Sequence, residues 1–172
     1  MNRRFRYCPY CAGAIAEESR FNAVRPVCKS CGFVQFHDPK VAVIALILHE
    51  GRVLLVQRAV DPAQGKWSLP GGYMDAGEMP LEALQRELNE EVGLTVEIGR
   101  LLDIFPMVSD RGERIGIVLA FEAGPAGSAA IPNVADDVQA AGWYRPEEIP
   151  SEIAFDSTRS LLQRWIELES GS

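Results

Sequence analysis

The stretch from Gly72 to Leu94, GYMDAGEMPLEALQRELNEEVGL, constrains this chain more than any other. Leu81, Leu84, Leu88 and Val92 recur at spacings of three and four residues, the apolar stripe of a helix that faces a core. Pro80 suits its first turn and Gly93 the position just past its end. Glu87, Glu90 and Glu91 share one face of the same helix, because residues three and four apart are surface neighbours. Like charges at that spacing destabilise a bare helix, whereas Glu82–Arg86 and Arg86–Glu90 are favourable i,i+4 pairs. Composition alone describes an amphipathic helix with a solvated acidic face. The frame upstream argues for more. Gly71, Gly72 and Gly77 supply the freedom of a tight loop just before the helix. Such a loop can approach a phosphate closely and offer it N–H groups. Three carboxylates on one face are hard oxygen donors suited to Mg²⁺ or Mn²⁺, whose charge relieves their repulsion.

The segment resembles the Nudix box at every defined position. A glycine, Gly72, is followed by five residues, Glu78, seven more residues, and Arg86-Glu87-Leu88-Asn89-Glu90-Glu91-Val92-Gly93-Leu94. The resemblance implies that Glu87, Glu90 and Glu91 hold divalent metal, with the carbonyl of Gly71 as a further ligand. It implies that Glu78 and Arg86 pair to brace the loop against the helix. It also implies attack of a metal-activated water on a diphosphate, with Glu87 one of several candidates for the general base. The chemistry agrees. A diphosphate resists hydrolysis because its charge repels nucleophiles, and metal ions neutralise that charge and lower the pKa of a bound water. Metals and substrate must be held in line, which needs carboxylates on a rigid element.

The four cysteines form a second pattern: Cys8-x2-Cys11 and Cys28-x2-Cys31, separated by 16 residues. This is the spacing of a closed structural Zn²⁺ site with four thiolates. Gly13 and Gly32 follow the two knuckles where tight turns are expected. The other use of such cysteines is two disulfides in a secreted protein. The polar, basic N-terminus has no apolar signal-peptide core, so a reducing, cytoplasmic setting and zinc are expected.

Of the 172 residues, 47% are hydrophobic and 24% charged, the make-up of a globular protein with one ordinary domain and a small module. No apolar run approaches the roughly 18 residues of a membrane span. Charge is uneven. Residues 1–40 carry a formal +4 and residues 41–172 carry −11. A zinc tetrathiolate would lower the first figure to about +2. The basic module (Arg3, Arg4, Arg6, Arg20, Arg25, Lys29) suggests nucleic acid, but it is small and lacks an aromatic-rich run. Electrostatic docking or plain solubility accounts for the basic module better than nucleic acid does. The expected partners are a nucleotide-sized substrate and a second copy in a homodimer, with no membrane.

The expected boundaries are a zinc ribbon over 1–38 and a catalytic domain over 39–172, with His37-Asp38-Pro39-Lys40 as the link. Val41–Leu48 and Arg52–Gln57 read as a strand hairpin turning at Glu50-Gly51. Asp61–Lys66 is a loop. Leu94–Val108 reads as one long or two short strands. Asp110–Glu113 is a turn, Ile115–Glu122 a strand, and Gly124–Ala135 a Gly/Ala/Pro-rich flexible loop. Val138–Tyr144 is a short strand. Phe155–Glu167 closes the chain as a helix, with Leu161, Leu162, Trp165 and Ile166 inward and Asp156 or Ser157 as cap. This order resembles the Nudix fold, an α/β/α sandwich around a mixed sheet.

For substrate, two zinc-ribbon branches of the superfamily compete. The NADH pyrophosphatase type carries a Ser-Gln-Pro-Trp-Pro-Phe-Pro segment after the box. Here Asp103-Ile104-Phe105-Pro106-Met107-Val108 occupies that region. The chain is more similar to a compact branch acting on ADP-ribose or FAD, through Glu148-Ile149-Pro150 and Ile153-Ala154-Phe155-Asp156-Ser157. Arg58 and Arg114 are candidate phosphate contacts and Trp67 and Phe105 candidate base-stacking residues, although such aromatics are more often core. Asp136 or Asp137 stands where many relatives place a distal glutamate. Two other readings stay open: a nucleotide sensor that does not hydrolyse, and an RNA-directed Nudix enzyme.

Overall fold

The computed structural model describes residues 5–109, 111–127 and 137–171. The chain separates into two compact units, Met1–Asp38 and Pro39–Ser172. In the first, β1 (Ile15–Arg20) and β2 (Ala23–Cys28) pair antiparallel, with Ile15 opposite Cys28 and Arg20 opposite Ala23. The two cysteine loops flank this hairpin and are local copies of each other. The N–H of Ala12 donates to the Cys8 carbonyl (2.9 Å), as the N–H of Gly32 does to the Cys28 carbonyl (3.0 Å). Cys8 N–H donates to the Gly13 carbonyl and Cys28 N–H to the Phe33 carbonyl, both at 2.8 Å. The left-handed residues correspond as well: Ala12 at φ 56° and Gly32 at φ 76°. This corrects the expectation for Gly13. Ala12 holds the left-handed turn, and Gly13 is there for room, since a Cβ on it would lie 2.4 Å from Ser30 Oγ.

The second unit runs β3 (Lys40–His49), β4 (Arg52–Arg58), β5 (Trp67–Ser68), β6 (Gly71–Tyr73), α1 (Pro80–Val92), β7 (Val96–Val108), β8 (Arg114–Pro125), β9 (Val138–Tyr144), a 3₁₀ turn (Pro146–Glu148) and α2 (Asp156–Ser170). The sheet order is β5-β4-β3-β8-β7, with β6 paired to β3 and β9 to β4. The sheet is mixed: β3 and β8 run parallel and the remaining pairs antiparallel. Strand alternation sends Val43, Ala45 and Ile47 to one face, where they meet Leu84, Leu88 and Val92 of α1. Leu46 goes to the other face, against Leu161, Leu162 and Trp165 of α2. Each fully buried side chain of this size stabilises the sandwich by about 1.5–3 kcal/mol. No described helix is long and apolar enough to cross a membrane.

Several local expectations change. Gly71 and Gly72, read as loop, form β6 because they pair with β3. Leu81 is exposed rather than inward, since the core begins two positions later, at Ala83 and Leu84. Glu82 turns back to accept the Met79 N–H at 3.0 Å, which satisfies a free donor of the first turn in place of Arg86. Neither Asp156 nor Ser157 caps α2: Phe155 is its cap residue, in extended conformation, and Asp156 is already helical. Ile166 is only partly buried. The stretch Leu94–Val108 is one strand starting at Val96, and register shifts around Leu101 explain its imperfect alternation. Lys40 belongs to β3, and Gly124 and Pro125 belong to β8. Asp110 and residues 128–135 lie outside the described residues.

Candidate active site

The site begins at β6. Gly72 lies opposite Val43 and Gly71 opposite Ile44. A Cβ on Gly71 would lie 2.1 Å from the Val43 carbonyl oxygen, and φ there is 134°, so only glycine fits. A Cβ on Gly72 would lie 2.4 Å from the Glu87 carboxyl carbon, so that carboxylate rests on the strand backbone. One turn further along α1, Glu91 Oε2 accepts the Gly71 N–H at 2.8 Å. Glu91 is 6% exposed. Its pKa is pushed up to about 8, first by burial, with Asp137 and Glu87 adding repulsion; the Gly71 N–H and Arg58 oppose the rise. Burial also raises Glu87, against the pull of Arg86. The Glu90 side chain stays 59% exposed.

Arg86 organises the rest. Its Nε donates to Glu78 Oε1 at 2.6 Å and its Nη2 to Glu78 Oε2 at 2.9 Å, a bidentate pair. Nη1 reaches Glu87 (2.9 Å) and Glu90 (3.2 Å), and Nη2 also reaches the Tyr73 carbonyl (3.1 Å). Those five contacts occupy all five guanidinium donors, so Arg86 has none left for a substrate. Glu78 Oε2 accepts the Asp75 N–H as well, at 2.8 Å. Arg86, then the Asp75 amide, hold the Glu78 pKa down to about 2. The segment between β6 and α1 is thereby tied to the helix at both ends. Gly93, left-handed at φ 64°, closes α1 by donating to the Asn89 carbonyl.

Of the other candidates, the fold brings Arg58 and Asp137 to the carboxylates. Both act on Glu91, with opposite sign. Asp137 is held by its backbone carbonyl, which accepts the Ala59 N–H at 2.9 Å. Arg58 Nε donates to the Pro62 carbonyl at 2.7 Å, and its guanidinium lies 5.2 Å from the Phe155 ring centre. Neither anchor is visible in the sequence, because Phe155 arrives from far along the chain. Trp67 and Phe105 belong to the α2-side core. Trp67 packs edge-on against Tyr144 at 5.1 Å, and Phe105 lies under Arg164, which is paired with Asp103 at 2.7 Å. That is the sheet face opposite Glu87, so the fold does not bring Phe105 to the carboxylates. Arg114 is exposed at the start of β8. Asp136 lies outside the described residues.

Two donor sets could hold metal. The four cysteines are free thiols, and their sulfurs all lie within 4.8 Å of one another. The Cys8–Cys31 and Cys11–Cys28 separations are 3.7 and 3.5 Å. A tetrahedron with Zn–S bonds of ~2.3 Å has edges of ~3.8 Å, so the set fits zinc. The N–H of Tyr10 points at Cys8 Sγ (3.4 Å), and those of Cys31 and Ser30 lower the Cys28 pKa to about 6. Among the described residues, the cysteines are the one set of three or more candidate ligands gathered so tightly. The glutamates share a helix face but are drawn apart, Glu91 to Gly71 and Glu87 and Glu90 to Arg86. They are hard oxygen donors, two of them raised in pKa by burial and mutual repulsion, which is the condition a divalent cation relieves.

The family model for the NUDIX domain matches residues 37–165. The chain belongs to the Nudix hydrolase family. An ADP-ribose pyrophosphatase from Methanocaldococcus jannaschii is 32% identical over 131 residues, covering 74% of this Nudix chain and 75% of that protein. The 8-oxo-dGDP phosphatase NUDT18 of Mus musculus is 37% identical over 124 residues, 70% of this chain but 37% of that longer protein. A solved Nudix hydrolase from Nitrosomonas europaea superposes with TM-score 0.85 at 26% identity, over 98% of this chain and 94% of the other. Nudix enzymes generally use divalent metals, and the carboxylate face of α1 is where this chain offers the oxygen donors.

Proposed function

We propose that this Nudix hydrolase cleaves the diphosphate of a nucleoside diphosphate joined to a second group, ADP-ribose or FAD. The products are AMP and ribose 5-phosphate or FMN. The observation that carries the reading is the double anchoring of α1 on β6: Glu91 on the Gly71 N–H and Glu87 on the Gly72 backbone. It holds acidic side chains rigidly beside a strand end. The ADP-ribose preference is supported by the activity named for the Methanocaldococcus jannaschii relative, which matches three quarters of its own length.

Glu87, Glu90, Glu91 and the Gly71 carbonyl would hold Mg²⁺ or Mn²⁺, and Cys8, Cys11, Cys28 and Cys31 a structural Zn²⁺. Bound there, the divalent metal supplies charge neutralisation and a water of lowered pKa. Arg86 and Glu78 act as positioning residues that fix the carboxylates. Arg58, steadied by Pro62 and Phe155, would meet a phosphate oxygen, and Asp137 would orient a water. Burial of Glu91 excludes bulk water from one flank of the group.

A substrate panel with Mg²⁺ or Mn²⁺ (ADP-ribose, FAD, NADH, 8-oxo-dGDP, nucleoside triphosphates) tests the reading by kcat/KM. Hydrolysis in ¹⁸O-water should place label on one of the two monophosphates, because carboxylates fixed on one helix face serve one side of the diphosphate. Inorganic phosphate or pyrophosphate as the first product would overturn it.

A further inference from the structure

The tip of the β1–β2 hairpin breaks a local rule. Its two turn residues, Phe21 and Asn22, have φ of 51° and 59°. A two-residue turn with both φ positive favours Asn, Asp and Gly. Phenylalanine is a bulky outlier in that region, where its Cβ crowds the following carbonyl. Nor does the ring repay this by burial: Phe21 is 71% exposed. A strained and exposed aromatic is a local choice that packing does not explain, and such outliers point toward function.

What surrounds Phe21 gives the function its chemistry. Its ring stacks on Phe36, with centres 5.9 Å apart and planes 29° from parallel. Phe36 is itself 47% exposed. The Arg25 guanidinium lies over the Phe36 ring at 4.7 Å. Arg25 Nε is buried there with no hydrogen-bond partner among the described residues. Arg20 and Lys29 stand on the same hairpin and share one carboxylate, Glu18. Residues 1–38 hold six Lys/Arg against three Asp/Glu. That balance stays positive even after a zinc tetrathiolate removes two charges. The sequence offers no aromatic run here; the hairpin assembles one by bringing Phe36 to Phe21.

We propose that the Phe21–Phe36–Arg25 face of the ribbon binds single-stranded nucleic acid. Unpaired bases stack on the exposed rings, and phosphates are met by Arg25, Arg20 and Lys29. Exposed rings interleaved with cations are the two components of a sequence-tolerant single-strand site. A duplex hides its base faces, so the rings select single strands. This inference concerns the ribbon alone and does not rest on the substrate proposed for the catalytic unit.

The test uses the full, zinc-loaded chain and a fluorescein-labelled oligouridine of about twelve nucleotides, within the span of a small single-strand site. Fluorescence anisotropy should show binding that weakens steadily as salt rises, and a duplex of equal length should bind less well. Phe21→Asn relieves the strained φ, so the hairpin and zinc content should be retained, yet affinity should fall roughly fivefold or more. Arg25→Gln should lower the salt slope by about one phosphate contact. Hydrolysis of small nucleotides should be unchanged in Phe21→Asn. Absence of binding at low salt, equal binding of duplex, or full affinity in Phe21→Asn overturns the proposal. So does a Phe21-dependent dimer by light scattering without oligonucleotide binding, which would assign the face to a second copy.

Discussion

The Gly71 N–H donates to Glu91 Oε2 at 2.8 Å, joining a strand to a helix across twenty positions of sequence. That bond and Arg58 favour the charged carboxylate, but burial and the neighbouring Asp137 and Glu87 outweigh them. The behaviour of the site follows from that imbalance.

Glu91→Gln keeps the shape and removes the charge. Turnover should fall by about two orders of magnitude or more, since bound metal supplies several kcal/mol of transition-state stabilisation. The metal-free variant should be at least as stable as the parent at neutral pH, because the glutamine needs no proton to fold whereas Glu91 must take one up. Steady-state kinetics beside thermal melts in chelator checks both; near-normal turnover in a folded variant would remove Glu91 from the site.

The pH dependence has a definite sign. Glu91 has a folded pKa of about 8 against an ordinary 4.5, so between those values the folded state holds a proton that the unfolded state has released. Stability of the metal-free protein should be fullest below about pH 4.5 as far as this group is concerned, and should decline as pH rises toward about 8. Mg²⁺ or Mn²⁺ should offset the decline and release a proton on binding. Urea midpoints at pH 6 and 8.5, with chelator and with metal, should differ mainly in the chelator series. Glu91→Gln should flatten that slope.

Arg86→Lys retains charge and loses the fork that grips Glu78 while touching Glu87, Glu90 and the Tyr73 carbonyl. Loss of about 1–3 kcal/mol of stability is expected, the scale of hydrogen bonds to charged groups. Turnover should fall with it, because two acidic side chains lose their brace. Glu78→Gln should do less in the Arg86→Lys background than alone; additive effects in the cycle would mean the two residues act separately.

For the cysteine loops, Cys28→Ser should abolish stoichiometric zinc while costing stability more than kcat. Elemental analysis and melting with chelator measure this. Ala12→Gly should raise the stability of the same unit by about 1 kcal/mol, since Ala12 sits at the left-handed position that Gly32 fills in the sister loop. A lower zinc-retention temperature in Ala12→Gly would contradict the correspondence of the two loops.

The sequence by itself determined the parts with short-range causes. The stripe of Leu84, Leu88 and Val92, Pro80 at the start and Gly93 at the end specify α1, because helix period, cap chemistry and positive φ are local properties. Clustering of Glu87, Glu90 and Glu91 follows from the same period, and the cysteine spacing from the reach of a knuckle. The strand hairpin of β3 and β4 was legible in its β-branched run. Tertiary structure decided everything that depends on who arrives from afar. Gly71 and Gly72 are strand rather than loop because β3 offers them partners. Leu81 is exposed because the buried face of α1 starts only at Ala83, and Phe105 lies on the far face because register shifts in β7 set its side. The same holds for function. Three glutamates on a helix are a solvated face until β6 buries one of them, and two phenylalanines distant in sequence are unremarkable until a hairpin stacks them.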